Sequence, residues 1–173
     1  MLLIHQVAYL VDHGVPALTA ALVGGVVGLV SIPGKMGWGV LSDCVGRELA
    51  TTLAFGCVAL SIGTLVLAGR DPSVQLLYLY AVLIGLGYSV VSGVFPAIAS
   101  DLFAGPGFSV IYGVLFTVIC LGIAIGPWVA GRIFDVTGSY TMALWLGLAT
   151  ALVASCLVWV VAPRHPNPAS TRW

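Results

Sequence analysis

Gly39-Val40-Leu41-Ser42-Asp43-Cys44-Val45-Gly46-Arg47 separates two apolar runs, each long enough to cross a bilayer. The stretch carries two charged side chains, Asp43 and Arg47, and two glycines, Gly39 and Gly46, of the kind a tight connection needs. It reads as a short charged turn between membrane helices. That reading sets the fold class: an all-α, multi-pass transmembrane helical bundle whose main solvent is the lipid bilayer.

Composition agrees. Of the 173 residues, 60% are hydrophobic and 7% charged, and the mean hydropathy is +1.13. Soluble globular chains carry about a quarter charged residues, and a soluble fold could not cover its surface with so few. The formal net charge is zero, so no basic surface points to nucleic acid. Cys44, Cys57, Cys120 and Cys156 are scattered without C-x-x-C spacing and read as free thiols packing as small hydrophobes. No Ser-His-Asp or Cys-His set, metal-ligand cluster or phosphate-binding loop is legible. The sequence therefore supports no enzyme, metal or cofactor assignment.

Five runs reach the roughly 20 apolar residues that a spanning helix needs: residues 16–38, 49–69, 75–98, 108–131 and 140–162. Pro16 suits a first helical turn. Asp71-Pro72, Gly105-Pro106-Gly107 and Thr137-Gly138-Ser139 mark connections. Pro163 and Pro166 close the last run. Residues 1–11 are apolar but too short to cross. They lack the basic start and small-residue cleavage site of a signal peptide, and read as the last half of a helix, with Asp12-His13-Gly14 as its exit. Lys35, Arg47, Arg164 and Arg172 fall on one side of these spans and Arg70 and Arg132 on the other. The positive-inside rule then puts the Asp43 turn and the tail, residues 163–173, in the cytoplasm of a cell-membrane protein.

The turn has the pattern G-x-x-x-D-x-x-G-R, and it resembles the signature loop of the major facilitator superfamily. Cys44 stands where that loop usually has a basic residue. Asp43 is expected to accept hydrogen bonds from a helix N-terminus, and Arg47 to hold its carboxylate. A second pattern, Gly113, Gly122, Gly126, Pro127 and Gly131, is similar to the glycine-proline motif of the antiporters of that superfamily. Its Gly122/Gly126 pair is expected to let a neighbouring helix approach closely, and Pro127 to bend its own helix. Pro96 to Phe103, Tyr112-Gly113 and Gly126 to Tyr140 look like the end of a C-terminal half, most similar to carriers of the monocarboxylate and oxalate/formate group. Those carriers often hold an arginine in the middle of the eighth helix. The matching span, 16–38, has only Lys35, expected near its cytoplasmic end.

The resemblance implies a half built from inverted three-helix repeats: a partial seventh helix at 1–11, then the eighth to twelfth. It also implies a solute site near the midplane between two halves, with the seventh, eighth, tenth and eleventh helices facing it. The candidate solute contacts are then His5, Gln6, Tyr9, Tyr80, Tyr88, Ser89, Ser92, Tyr112 and Thr117, because polar groups within a membrane are functional by default. The signature loop, Gly39, Asp43, Gly46 and Arg47, would act in gating. The implied function is gradient-driven transport of a small solute, such as a monocarboxylate, coupled in some cases to an ion. The implied partners are the bilayer and the missing N-terminal six-helix half. Arg132 and Asp135, at i and i+3, are expected to pair. The residues leave a second reading open: a truncated, non-transporting remnant or a membrane interaction module.

Overall fold

The computed structural model describes residues 2–71 and 73–161. They form seven helices: α1 (Leu2–Asp12), α2 (Ala17–Val45), α3 (Arg47–Arg70), α4 (Val74–Gly93), α5 (Phe95–Phe103), α6 (Phe108–Thr137) and α7 (Thr141–Val161). Among the described residues there is no strand, as lipid-exposed backbone requires. Five stretches are long and apolar enough to cross a membrane: Ala17–Val45, Arg47–Arg70, Val74–Phe103, Phe108–Thr137 and Thr141–Val161. They correspond to the five runs read from the sequence. The tail, residues 163–173, lies outside the described residues.

Three boundaries differ from the expectation, each for a local reason. The stretch Gly39–Val45 is helix, not turn, so the connection shrinks to Gly46. Ser42 in this segment is buried, and the Trp38 indole N–H just before it donates to the Leu86 carbonyl of α4 at 2.8 Å. This tertiary support outweighs the weak helix propensity of Gly39, about 1 kcal/mol below alanine. Gly46 ends the helix because its φ of +97° suits glycine alone. The 75–98 run is interrupted at Val94, between α4 and α5. Pro96 has no N–H to give, and it falls in the first turn of α5, where that lack costs nothing. The 108–131 run continues to Thr137, since its polar end is helix-compatible. It stops only at Gly138, a left-handed cap with φ +65°.

Helix α4 lies at the centre, with its broadest contacts on α2 and α3. Its glycines make this possible. A Cβ at Gly85 would come 2.9 Å from the Val27 carbonyl oxygen, and one at Gly93 would come 2.5 Å from that of Lys35. One at Gly87 would meet the Ala54 oxygen at 2.9 Å. The core around these contacts is Leu10, Val23, Val27, Leu65, Leu77, Tyr80 and Ile84, with Leu144 from α7. A smaller cluster of Ala54, Val90, Val94 and Ile98 sits toward the Asp43 end. Helix α6 is peripheral, touching α1, α5 and α7, and Ala130 is its one buried residue. A Cβ at Gly113 or Gly122 would meet nothing within 4 Å, and one at Gly131 only His5 Cε1 at 3.8 Å. The close helix approaches of this bundle are therefore those of α4, because a small-residue spacing marks a flat face without saying which neighbour takes it.

Candidate functional site

The joint between α2 and α3 is one residue long, so Arg47 opens α3 directly beside the last turn of α2. Its guanidinium is shared three ways. Nη1 donates to Asp43 Oδ1 at 2.5 Å and to Ser42 Oγ at 2.6 Å, and Nε donates to Asp101 Oδ2 of α5 at 3.1 Å. Ser42 passes its own proton to the Gly39 carbonyl at 2.8 Å. The two carboxylates are not equivalent. The Asp43 side chain is 65% exposed and that of Asp101 only 7%, against 17% for Arg47. Among the described residues Asp43 meets no helix N-terminus. It sits in the last turn of α2, where the helix dipole disfavours an anion, and Arg47 is its partner. The first turn of α3 takes Glu48 instead. The sequence reading assigned Asp101 no role. Its signal was an acid at the end of an apolar run, which calls for a cationic partner.

A second polar cluster surrounds α1. Tyr80 donates to Gln6 Oε1 at 2.8 Å in a buried pair that ties α4 to α1, and Gln6 Nε2 donates to the Leu3 carbonyl at 3.2 Å. The imidazole of His5 bridges two elements, with Nε2 3.1 Å from the Pro127 carbonyl and Nδ1 3.2 Å from the Tyr140 hydroxyl. A carbonyl can only accept, so Nε2 carries the proton, and in the neutral ring Nδ1 accepts from Tyr140. Burial pushes the Tyr140 phenol above its usual value, and the Asp12 and Asp135 carboxylates push it the same way, which keeps it a donor. The cavity beside His5, Gln6 and Tyr140 has a volume of about 20 Å³, room for a water.

The structure therefore brings His5, Gln6, Tyr9 and Tyr80 together and leaves the other candidates apart. Tyr88 is half-buried against the core. Ser89 is buried and bonds its own helix at the Leu86 carbonyl, 2.6 Å away. Ser92 and Thr117 are exposed, and Thr117 bonds the Gly113 carbonyl at 2.8 Å. Tyr112 stacks between Phe108 and Phe116 on α6. Among the described residues, the two ion pairs are both those of Arg47, so Arg132 and Asp135 do not pair as expected. Lys35 is deeper than expected. Because α2 runs on to Val45, Lys35 lies about 15 Å along the axis from that end, at about 1.5 Å per residue.

The apolar spans have an explanation in descent. The family model described as Major Facilitator Superfamily matches residues 1–173. The chain belongs to the major facilitator superfamily. Human monocarboxylate transporter 2 is 37% identical over 92 residues, 53% of this chain and 19% of that protein. A putative tartrate transporter of Agrobacterium vitis is 23% identical over 161 residues, 93% of this chain and 35% of that protein. Monocarboxylate transporter 3 of Rattus norvegicus is 26% identical over 155 residues, 89% of this chain and 32% of that protein. The chain thus spans about a third or less of the length of these superfamily relatives.

Proposed function

We propose that the chain forms the C-terminal half of a secondary carrier that moves a small solute by alternating access. Helix α1 would then belong to the seventh helix of the whole carrier, and α2, α3, α4 with α5, α6 and α7 would be the eighth to twelfth. The observation that carries this reading is the Arg47 joint. One guanidinium couples a one-residue helix junction to a buried acid on α5 and an exposed acid on α2. In this reading the junction would alternate between the arrangement seen, with both acids engaged, and one with α5 withdrawn. A rocking carrier needs a contact of that kind. The lysine and arginine balance supports a cytoplasmic location for this end.

Within this reading the solute is a small organic anion. Two features support that class. The relatives are named as transporters of monocarboxylates and tartrate. Lys35 offers an exposed cation well inside a span, with no ion-pair partner among the described residues. The test is uptake of labelled lactate, tartrate and a neutral sugar by vesicles holding the natural gene product that contains this chain. Saturable, gradient-dependent uptake of the acids is expected. Lys35→Gln should raise KM about tenfold or more, the scale of one charge-assisted contact. Uptake of the sugar alone, or an unchanged KM in the variant, would remove the anion assignment. The rival reading, a membrane interaction module, draws on the broad apolar face of α6, where Val114, Val118 and Ile125 are exposed. It predicts no uptake of any solute.

A further inference from the structure

A cavity of about 630 Å³ lies along the seam of α3 and α7, at the end of the bundle opposite Asp43. Its head is polar and its body apolar. At the head, Tyr9 is 7% exposed, yet its hydroxyl has no hydrogen bond among the described residues. No described buried polar side-chain atom is left without a partner, so this hydroxyl is open to the cavity it lines. Tyr9 also lines the small cavity with His5 and Gln6, but its hydroxyl reaches Gly69 of α3, where an added Cβ would be 2.6 Å away.

His13 completes the head. Its ring stacks on Tyr9 with centroids 4.2 Å apart, and its Nδ1 donates to the Tyr9 carbonyl at 2.7 Å. That bond puts the proton on Nδ1, so in the neutral ring Nε2 is an acceptor, and the imidazole serves as a wall that holds Tyr9 in place. Gly69 makes the arrangement possible, since a Cβ there would also meet His13 Cδ2 at 2.9 Å. Arg70 follows directly, exposed at the end of α3 and with no ion pair among the described residues. Below the head the cavity runs along apolar α3 from Arg70 to Ala59, about 16 Å by helical rise. Trp145 and Leu148 of α7 form the other wall.

We propose that this seam binds one bilayer phospholipid, with its phosphate held by Arg70 and the Tyr9 hydroxyl and an acyl chain lying between α3 and α7. The charge pattern selects the head. A guanidinium and a phenol hydroxyl suit an anion with several acceptor oxygens. The neighbouring carboxylates, Asp12 and Asp71, disfavour a second negative charge, so a phosphodiester fits better than a terminal phosphate. Depth selects a lipid over a soluble anion. Arg70 ends its span at headgroup level, Trp145 is placed as an interfacial aromatic, and the apolar body continues into the membrane.

The test is native mass spectrometry of the 173-residue chain released from detergent and titrated with dioctanoyl phosphatidylglycerol. Parallel arms use dioctanoylglycerol, which lacks the phosphate, and inorganic phosphate, which lacks the chains. One saturable phospholipid adduct is expected, with both other ligands about tenfold weaker or more. Arg70→Gln should weaken the adduct by about tenfold or more, the loss of one charge-assisted contact. Gly63→Leu should abolish it while leaving circular dichroism unchanged, because a Cβ at Gly63 meets nothing within 4 Å and the side chain grows into the seam. The inference is overturned if either variant binds as the parent does. It is equally overturned if inorganic phosphate, or dioctanoylglycerol, binds as tightly as the phospholipid. Uptake is not measured, so the result is independent of the carrier proposal.

Discussion

Asp101→Asn should destabilise the bundle more than Asp43→Asn, although Asp43 is the acid of the signature pattern. The Asp101 side chain is 7% exposed and accepts from Arg47 Nε at 3.1 Å. Asparagine keeps the shape but removes the charge, turning a charge-assisted contact into a neutral one beside a guanidinium that is itself 17% exposed. Hydrogen bonds to charged groups are worth about 1.5–3 kcal/mol, so a loss of about 2 kcal/mol is expected. Asp43 is 65% exposed and its pair with Arg47 is solvent-screened, so its loss should cost less than about 1 kcal/mol. Thermal unfolding in detergent, followed by far-ultraviolet circular dichroism, reads the difference. For a chain of this size about 2 kcal/mol lowers Tm by roughly 4–8 °C. A double-mutant cycle with Arg47→Gln isolates the pair. Equal losses at the two acids, or an Arg47/Asp101 coupling below about 0.5 kcal/mol, would refute the ranking drawn from burial.

Other outcomes follow from contacts on different elements. A membrane-impermeant thiol reagent should label Cys44, in the last turn of α2, from the cytoplasmic side and spare Cys57, Cys120 and Cys156, which lie further inside their spans; labelling from outside intact cells would invert the topology. Gly93→Ala puts a Cβ 2.5 Å from the Lys35 carbonyl oxygen and should cost about 1–3 kcal/mol, whereas Gly122→Ala meets open space and should be neutral or stabilising by up to about 1 kcal/mol; unfolding measurements showing the opposite order would contradict the packing. Tyr80→Phe strands the buried Gln6 carbonyl oxygen and should cost about 1–3 kcal/mol, with Gln6→Leu in the same background restoring part of it; no loss in Tyr80→Phe would show the bond to be idle. The 173-residue chain, reconstituted by itself in liposomes, should not catalyse uptake, since a midplane site in this superfamily requires surfaces from two halves. Saturable uptake by the chain as a demonstrated monomer would overturn the half-carrier reading.

Hydrophobic run length was the most legible property of the sequence. It gave the number and order of the spans because a bilayer imposes one length scale on every helix. Where helices end was less legible. Gly39 and Gly46 look alike in sequence, but Gly39 stays helical in a segment that Ser42 and Trp38 anchor against the rest of the bundle. Gly46 takes the positive φ that a tight connection needs, but nothing in the pattern says that it, and not Gly39, is the residue that turns. The Asp43–Arg47 pair could be read because it is local, four residues apart on adjoining turns. Asp101 could not be paired with Arg47 beforehand, since 54 positions and two helix crossings separate them. The polar candidates divided in the same way. Residue type identified His5, Gln6 and Tyr80, while only the arrangement of α1 against α4 and α6 decided which of them meet.

The break at Val94, with Pro96 just beyond it, is the point at which α5 could change its angle against α4. Asp101 stands seven residues beyond Val94, a lever arm of about 10 Å at the helical rise. Tilting that arm by about 10° displaces the carboxylate by roughly 2 Å, and if directed away from Arg47 this takes the 3.1 Å contact beyond ion-pair range. Helix α4, held by backbone-close glycines on both sides, need not move at all. A small angular change at one break near a proline is thus converted into the making or breaking of a charge contact. In the half-carrier reading, such a tilt would change the charge contact at the Asp43 end while the centre of the bundle stays still.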